Sequence, residues 1–291
     1  MPEPARPSLL DRLSTGLLRM LPQHLLAAGM YRIARSTQPW LKDRLITRVI
    51  RHYRVDMAEA EQQDPAAYPS FNAFFTRALR PGVRPLAEGM LVSPADGSVS
   101  QIGAIRGGSL LQAKGHDFGL LELLAGDRQK SEAFRDGLFA TIYLSPRDYH
   151  RVHTPFAGTL ESMVFVPGAL FSVSEATTQL VPGLFARNER VICHFETALG
   201  PMAVILVGAI FVGSMETVWH GEVHGQRDQP TKWVYQGAQR RQFAAGDEIG
   251  RFNMGSTVIV LLPPGAVSSL EDLGPDDVVQ VGQKLGRLRQ L

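Results

Sequence analysis

The sequence predicts an α+β protein, with amphipathic N-terminal helices followed by a mainly antiparallel β domain. Three observations carry that expectation. Residues 8–53 place leucine, isoleucine and valine at helical spacing among basic side chains. From about residue 90 the texture changes to short apolar runs separated by Gly, Pro and Asp. A chain of 291 residues, 44% apolar and 20% charged, is long and apolar enough to bury a substantial core. The expected division is a helical, basic segment over residues 1–66 and a β-rich domain over 67–291.

Leu9, Leu10, Leu13, Leu17, Leu18 and Leu21 mark a first helix, with Asp11, Arg12 and Arg19 on its other faces. Pro22 and Pro39 divide the segment, and Leu41, Leu45, Ile46, Val49 and Ile50 form a second apolar stripe. "YPSFNAFFTRALRPGVRP" (68–85) predicts a short aromatic helix that Pro81-Gly82 ends. The runs "MLVSPADGSVSQIGAI", "LFATIYLSP", "GTLESMVFVPGAL", "RVICHFETALGPMAVILVGAIFVGSMETV" and "STVIVLLPPG" predict strands. Short helices are expected near 118–125 and 170–179. Pro94-x-x-Gly97-x-Val99 is echoed by Pro155-x-x-Gly158-x-Leu160, each a turn that opens a strand.

The net charge of +2 hides an asymmetry. Residues 1–55 hold ten Lys or Arg against three acids, a balance of +7, so the remainder carries −5. A basic head with Tyr31, Trp40 and Tyr53 suits an anionic membrane surface, with Leu9, Leu13, Leu17, Leu41, Leu45 and Val49 entering the interface, although a helical cap on the core accounts for the same leucines. Nucleic acid is disfavoured, because the basic residues are spread among leucines instead of clustering on one polar face. The longest apolar run, Ala203–Gly213, is too short to span a bilayer. No signal-peptide pattern precedes it. A lone cysteine, Cys193, excludes an intramolecular disulfide and fits a reducing compartment. The expectation is a cytoplasmic, non-spanning protein.

Four stretches could carry chemistry. Asp96-Gly97 lies between two strand-like runs, where a plain hairpin turn is the simplest reading. "YLSPRDYHRVHTP" sets His150 and His153 at a strand end, a spacing that could serve zinc but lacks a convincing third ligand. Glu216, His220, Glu222 and His224 are a competing cluster without a His-Glu-x-x-His pattern, so no metal is expected. Finally, Gly255-Ser256 interrupts the entrance to an apolar strand, where a bulge or turn is the bland explanation. Together these residues have another use. An Asp, a His and a Ser can form an oriented base and nucleophile. The carbonyl of Gly255 sits beside that serine with no side chain to block approach.

"GRFNMGSTVIVLLPPG", "SPADGSVSQIG", "YLSPRDYHRVHTPFAGTLESMVFVPGALFSV" and "LFARNERVICHFET" resemble the bacterial phosphatidylserine decarboxylase proenzymes, over roughly residues 65–286. The family's usual Leu-Gly-Ser-Thr is here Met254-Gly255-Ser256-Thr257, a change that keeps volume and apolarity. The resemblance implies that Ser256 attacks the Gly255 carbonyl to give an ester. Elimination and loss of ammonia then convert residue 256 into a pyruvoyl group, the implied cofactor. The products are a β chain of residues 1–255 and an α chain of 256–291, 36 residues long. Asp96, His153 and Ser256 match the triad for self-cleavage, and His150 matches the residue that reprotonates the substrate. The implied substrate is phosphatidylserine, met by a peripheral protein at the cytoplasmic face of the cell membrane, with room for a homo-oligomer. A hydrolase with an N-terminal Ser256 and a non-enzymatic lipid-binding protein are the alternatives. An intact α-chain mass separates them.

Overall fold

The computed structural model describes residues 8, 16, 22–113, 116–210 and 214–289. Leu9, Leu13 and Leu17 of the expected first helix lie outside the described residues. The remaining head forms two helices, Gln23–Ala34 and Pro39–Tyr53. Proline begins the second, where its missing N–H costs nothing, and Arg54 ends it in the left-handed region at φ 56°.

The aromatic stretch gives a helix only over Phe71–Phe75. Ser70 Oγ accepts from Ala73 N at 3.2 Å, capping its start, and Thr76 leaves helical geometry well before Pro81. Phe71, Phe74 and Phe75 bury themselves with Ala34, Ile46, Val55 and Tyr68. Leu45, Val49 and Ile50 pack on this cluster too. The stripe on Pro39–Tyr53 therefore faces inward, correcting the expectation that Leu45 and Val49 point to a membrane. Among the described residues of the head, the large apolar side chains left exposed are Leu25, Ile33, Trp40 and Tyr53, with Trp40 70% exposed.

The larger core surrounds a nine-stranded antiparallel sheet. Its spatial order is Thr231–Val234, Gly158–Val166, Arg190–Thr197, Gly200–Val207, Ser256–Leu262, Leu138–Leu144, Gly97–Ala104 and Val278–Val279, with Gln242–Phe243 also paired to Gly158–Val166. Every residue of Ser256–Leu262 is buried, which explains its unbroken apolar run. A four-stranded sheet, Gly221–Glu222, Met215–Thr217, Glu248–Phe252 and Arg151–His153, places the histidine strand beside the chain leading into Ser256. A three-stranded sheet joins Met90–Val92 to Lys284–Leu288 and Val267–Leu270. The fold is α+β, as the sequence predicts. The segment 118–125 divides into the end of strand His116–Gly119 and the helix Leu120–Leu123, and 170–179 gives Glu175–Leu180. Among the described residues, no helix is long and apolar enough to cross a membrane.

Candidate active site

Ser256 opens the central strand opposite Leu144, wholly buried. Its Oγ has no hydrogen-bond partner. A buried hydroxyl left unpaired costs about 1–3 kcal/mol, so such a group calls for an explanation beyond stability. Gly255 precedes it, and a Cβ there would meet nothing nearer than Leu144 O at 3.8 Å. Packing does not demand glycine at this position. Backbone freedom and an unobstructed carbonyl are what it adds.

The approach to Ser256 is clamped. Phe252 N donates to His150 O at 3.0 Å, and Asn253 N to Ser214 O at 3.0 Å. Asn253 Nδ2 donates to Ser214 Oγ at 2.6 Å, while its Oδ1 accepts from Asn72 Nδ2 at 3.1 Å. Met254 rests on the aromatic helix cluster. A cavity of about 350 Å³ opens at Met254-Gly255, walled by Val49, Tyr53, Phe75, Tyr143 and Ser172.

A tight turn after Leu138–Leu144 aims the next side chains: Asp148 N donates to Ser145 O at 2.9 Å, and Asp148 Oδ2 accepts from Ser145 N at 2.7 Å. His150 follows, fully buried, its ring 4.0 Å from that of Phe75. Its Nδ1 lies 2.8 Å from Asp148 O, and a carbonyl can only accept, so Nδ1 carries the proton. Nε2 is then a bare lone pair, and it has no partner. Burial, with a smaller push from the Arg77 charge, drives this imidazole down to about 3. His150 is thus held neutral. Arg77 is buried and donates through Nη2 to Arg147 O at 3.0 Å.

His153 gives Nδ1–H to Gly246 O at 2.8 Å, so its Nε2 accepts, here from the Tyr149 hydroxyl at 3.1 Å. Burial lowers its affinity for a proton, while Glu248 and Asp96 work against that. Asp96 sits in the turn that opens Gly97–Ala104. Gly97 is needed there, because a Cβ would fall 2.2 Å from Tyr143 O. The Asp96 carboxylate takes hydrogen bonds from Arg84 and from Val281 N.

The backbone ties these pieces into one locality: His153 N donates to Pro94 O, His150 O accepts from Phe252 N, and Leu144 pairs with Ser256. Side-chain contacts among Asp96, His153 and Ser256 are not made. Each of Asp96 and His153 has another partner, and Ser256 Oγ has none. Arg84, Asn72, Ser214 and Asn253 escaped the sequence reading, since they join separate segments of the chain and leave no local pattern. Tyr149 escaped it too, although it lies only four residues from its partner His153 within the histidine motif. The competing cluster is engaged elsewhere. Glu222 holds Arg35 and Tyr31, Glu216 lies 3.8 Å from Arg251, and His220 stacks on Trp233. His224 Nε2 lies 3.4 Å from Glu222.

A family model described as phosphatidylserine decarboxylase matches residues 71–287, and one described as PSD matches residues 13–54. A phosphatidylserine decarboxylase proenzyme of Methylococcus capsulatus is 56% identical over 281 residues, covering 96% of this chain and 97% of that one. Proenzymes of the same name from Marinobacter nauticus, 50% identical over 96% of this chain and 99% of theirs, and from Ectopseudomonas mendocina, 52% identical over 92% and 95%, also match. With this likeness spanning both the helical head and the strand of Ser256, the chain belongs to the phosphatidylserine decarboxylase family of enzymes.

Proposed function

We propose that the chain cuts itself between Gly255 and Ser256 and, with the pyruvoyl group so formed, converts phosphatidylserine to phosphatidylethanolamine. The observation that carries this reading is the wholly buried, unpartnered Ser256 Oγ next to Gly255, which has no side chain to block approach to its carbonyl. The names of the relatives, which are proenzymes, support it.

In the first stage His153 takes the Ser256 hydroxyl proton as Oγ attacks the Gly255 carbonyl carbon. The Gly255–Ser256 C–N bond breaks as the ester forms, and the proton passes to the departing nitrogen. Loss of the residue-256 α-proton expels the Gly255 carboxylate, and water then releases ammonia. Asp96, an anion near His153, favours the imidazolium that forms on the way.

A pyruvoyl group at residue 256 fits what surrounds it: a serine with no hydrogen bond to lose, and a cavity at the junction. It supplies a carbonyl that accepts the electrons released as carbon dioxide leaves. Tyr53, Phe75 and Tyr143 restrict water, and Ser172 offers a hydroxyl for the head group. His150, neutral at rest, uses its bare Nε2 to relay a proton from water to the carbon that lost the carboxylate.

The two products remain one particle. The α chain contributes the central strand between Leu138–Leu144 and Gly200–Val207, and its end pairs with Met90–Val92. Residues 1–66, basic and bearing exposed Trp40, bring the enzyme to an anionic membrane surface as a peripheral protein of the cytoplasmic face. The test is intact mass. The native chain should give fragments 1–255 and 256–291, the latter lighter than a serine-started chain by one ammonia. Ser256→Ala should stay whole and inactive. A 36-residue fragment from that variant would sink the reading, and a fragment that keeps its serine amine would favour a hydrolase.

A further inference from the structure

Arg84 spends all five of its N–H donors on named acceptors. Nε lies 3.0 and 3.1 Å from the two Asp96 oxygens, and Nη2 lies 2.5 Å from Oδ2. The far side of the fork holds Glu59, with Nη1 at 3.0 Å and Nη2 at 2.6 Å, and Nη1 also reaches Val83 O at 3.1 Å. The Arg84 and Asp96 side chains are 10% and 8% exposed, so this is an interior arrangement.

The remaining contact of Asp96 comes from the opposite end of the chain. Val281 N donates to Oδ1 at 2.8 Å. The loop segments that supply Arg84 and Val281 are fitted closely together. Ala87 N donates to Gly282 O at 3.0 Å, and Gly282, at φ +84°, leaves no room for a Cβ, which would fall 2.5 Å from Pro85 O. Asp96 is gripped from two sides by segments locked to each other.

Resting on the self-cleavage reading above, we propose that Arg84 and Glu59 are positioning residues for that reaction. Arg84 fixes the Asp96 carboxylate, and Glu59 cancels the Arg84 charge so that Asp96 still presents a net negative charge to His153. Without Glu59, an arginine bonded to Asp96 would largely neutralise it as seen from the imidazole. With Glu59, the three side chains together carry one negative charge. That charge reaches His153, where Asp96 and Glu248 raise proton affinity and Arg151 lowers it. Arg84 also keeps Glu59 ionised, holding its carboxyl below the usual range.

The experiment follows self-cleavage of the full chain, made by cell-free translation and shifted into buffers across a range of pH, by intact mass. Cleavage should fail on the acid side as His153 becomes protonated. Arg84→Gln leaves two carboxylates uncompensated. It should slow cleavage about tenfold and move the acid limb to higher pH by about half a unit. Glu59→Gln should move the limb the opposite way, to lower pH. Arg84→Lys keeps the charge but not the fork, so it should slow cleavage without moving the limb. A merely structural role would slow all three and move none. If Arg84→Gln does not fold by circular dichroism, Glu59→Gln and Arg84→Lys still decide. A limb that Glu59→Gln leaves in place, or shifts upward, overturns the proposal. Failure of the native chain to cut at Gly255-Ser256 would instead overturn the self-cleavage reading.

Discussion

Tyr149 donates its hydroxyl to His153 Nε2 at 3.1 Å, occupying the lone pair that the proposed self-cleavage needs for the Ser256 proton. The His153 tautomer leaves no second acceptor on the ring, because Nδ1–H is committed to Gly246 O. The phenol therefore competes with the serine. Burial keeps Tyr149 from ionising, so it stays a donor. Tyr149→Phe preserves the ring and removes the competitor. With an ordinary hydrogen bond worth about 1 kcal/mol, self-cleavage of Tyr149→Phe should run about fivefold faster. A large slowing in the same time course would show that the hydroxyl helps carry the proton.

The two histidines differ in surroundings, and the roles proposed for them separate accordingly. His153 lies within the field of Asp96 and Glu248, whereas His150 is enclosed by Phe75 and backbone with Nε2 bare. His153→Ala and Asp96→Asn should leave most of the chain uncut on a denaturing gel. His150→Ala should yield the two fragments, yet turn over phosphatidylserine at least about a hundredfold more slowly. Equal failure of processing in both histidine variants would remove the distinction.

What the sequence revealed and what it concealed follow a physical line. Gly255-Ser256 stood out because it interrupts an apolar strand, a local signal. The sheet was readable for the same reason, since Leu138–Leu144 and Ser256–Leu262 are buried along most or all of their length and are correspondingly rich in apolar residues. The Arg84–Asp96 grip left no such trace, because no periodicity marks a side-chain contact between two loop residues twelve apart. The stripe of Leu45 and Val49 was visible as a stripe. Its covering, the Phe71–Phe75 cluster, depends on tertiary packing that periodicity does not encode.

Buried histidines make the fold sensitive to acid, and His194 offers a clean test away from the reacting residues. It is 3% exposed, its Nδ1 has no partner, and burial pushes it down to about 3. The unfolded imidazole binds a proton in the ordinary histidine range and the folded one does not, so stability falls as pH drops through that range. One such group should cost about 2 kcal/mol between about pH 7 and about pH 5. Glu189, pushed up to about 7 by burial, acts the other way over the same window, so the comparison must be between variants. In the uncleaved Ser256→Ala background, His194→Leu should flatten the pH dependence of the urea midpoint by about that amount. Identical pH dependence in both chains would show that His194 is not a source of the acid sensitivity.

Membrane attachment should depend on the side chains the fold leaves outside, not on the whole amphipathic stripe. Trp40 and Leu25 are 70% and 72% exposed, and Ile33 and Tyr53 are partly exposed near them in sequence. Arg44, Arg48 and Arg51 are exposed on the same helix as Trp40. Indole rings favour the head-group region, and each basic residue near an anionic surface adds about 1 kcal/mol. Trp40→Ser and the triple change of Arg44, Arg48 and Arg51 to Gln should each weaken co-sedimentation with phosphatidylserine-containing vesicles, by up to about a hundredfold for the arginines. Added salt should weaken native binding and have little effect on the arginine variant. Leu45→Ala, by contrast, should lower thermal stability through lost packing on the Phe71–Phe75 cluster while leaving vesicle affinity near native. Binding that is indifferent to Trp40, the arginines and salt would assign this helix to packing alone.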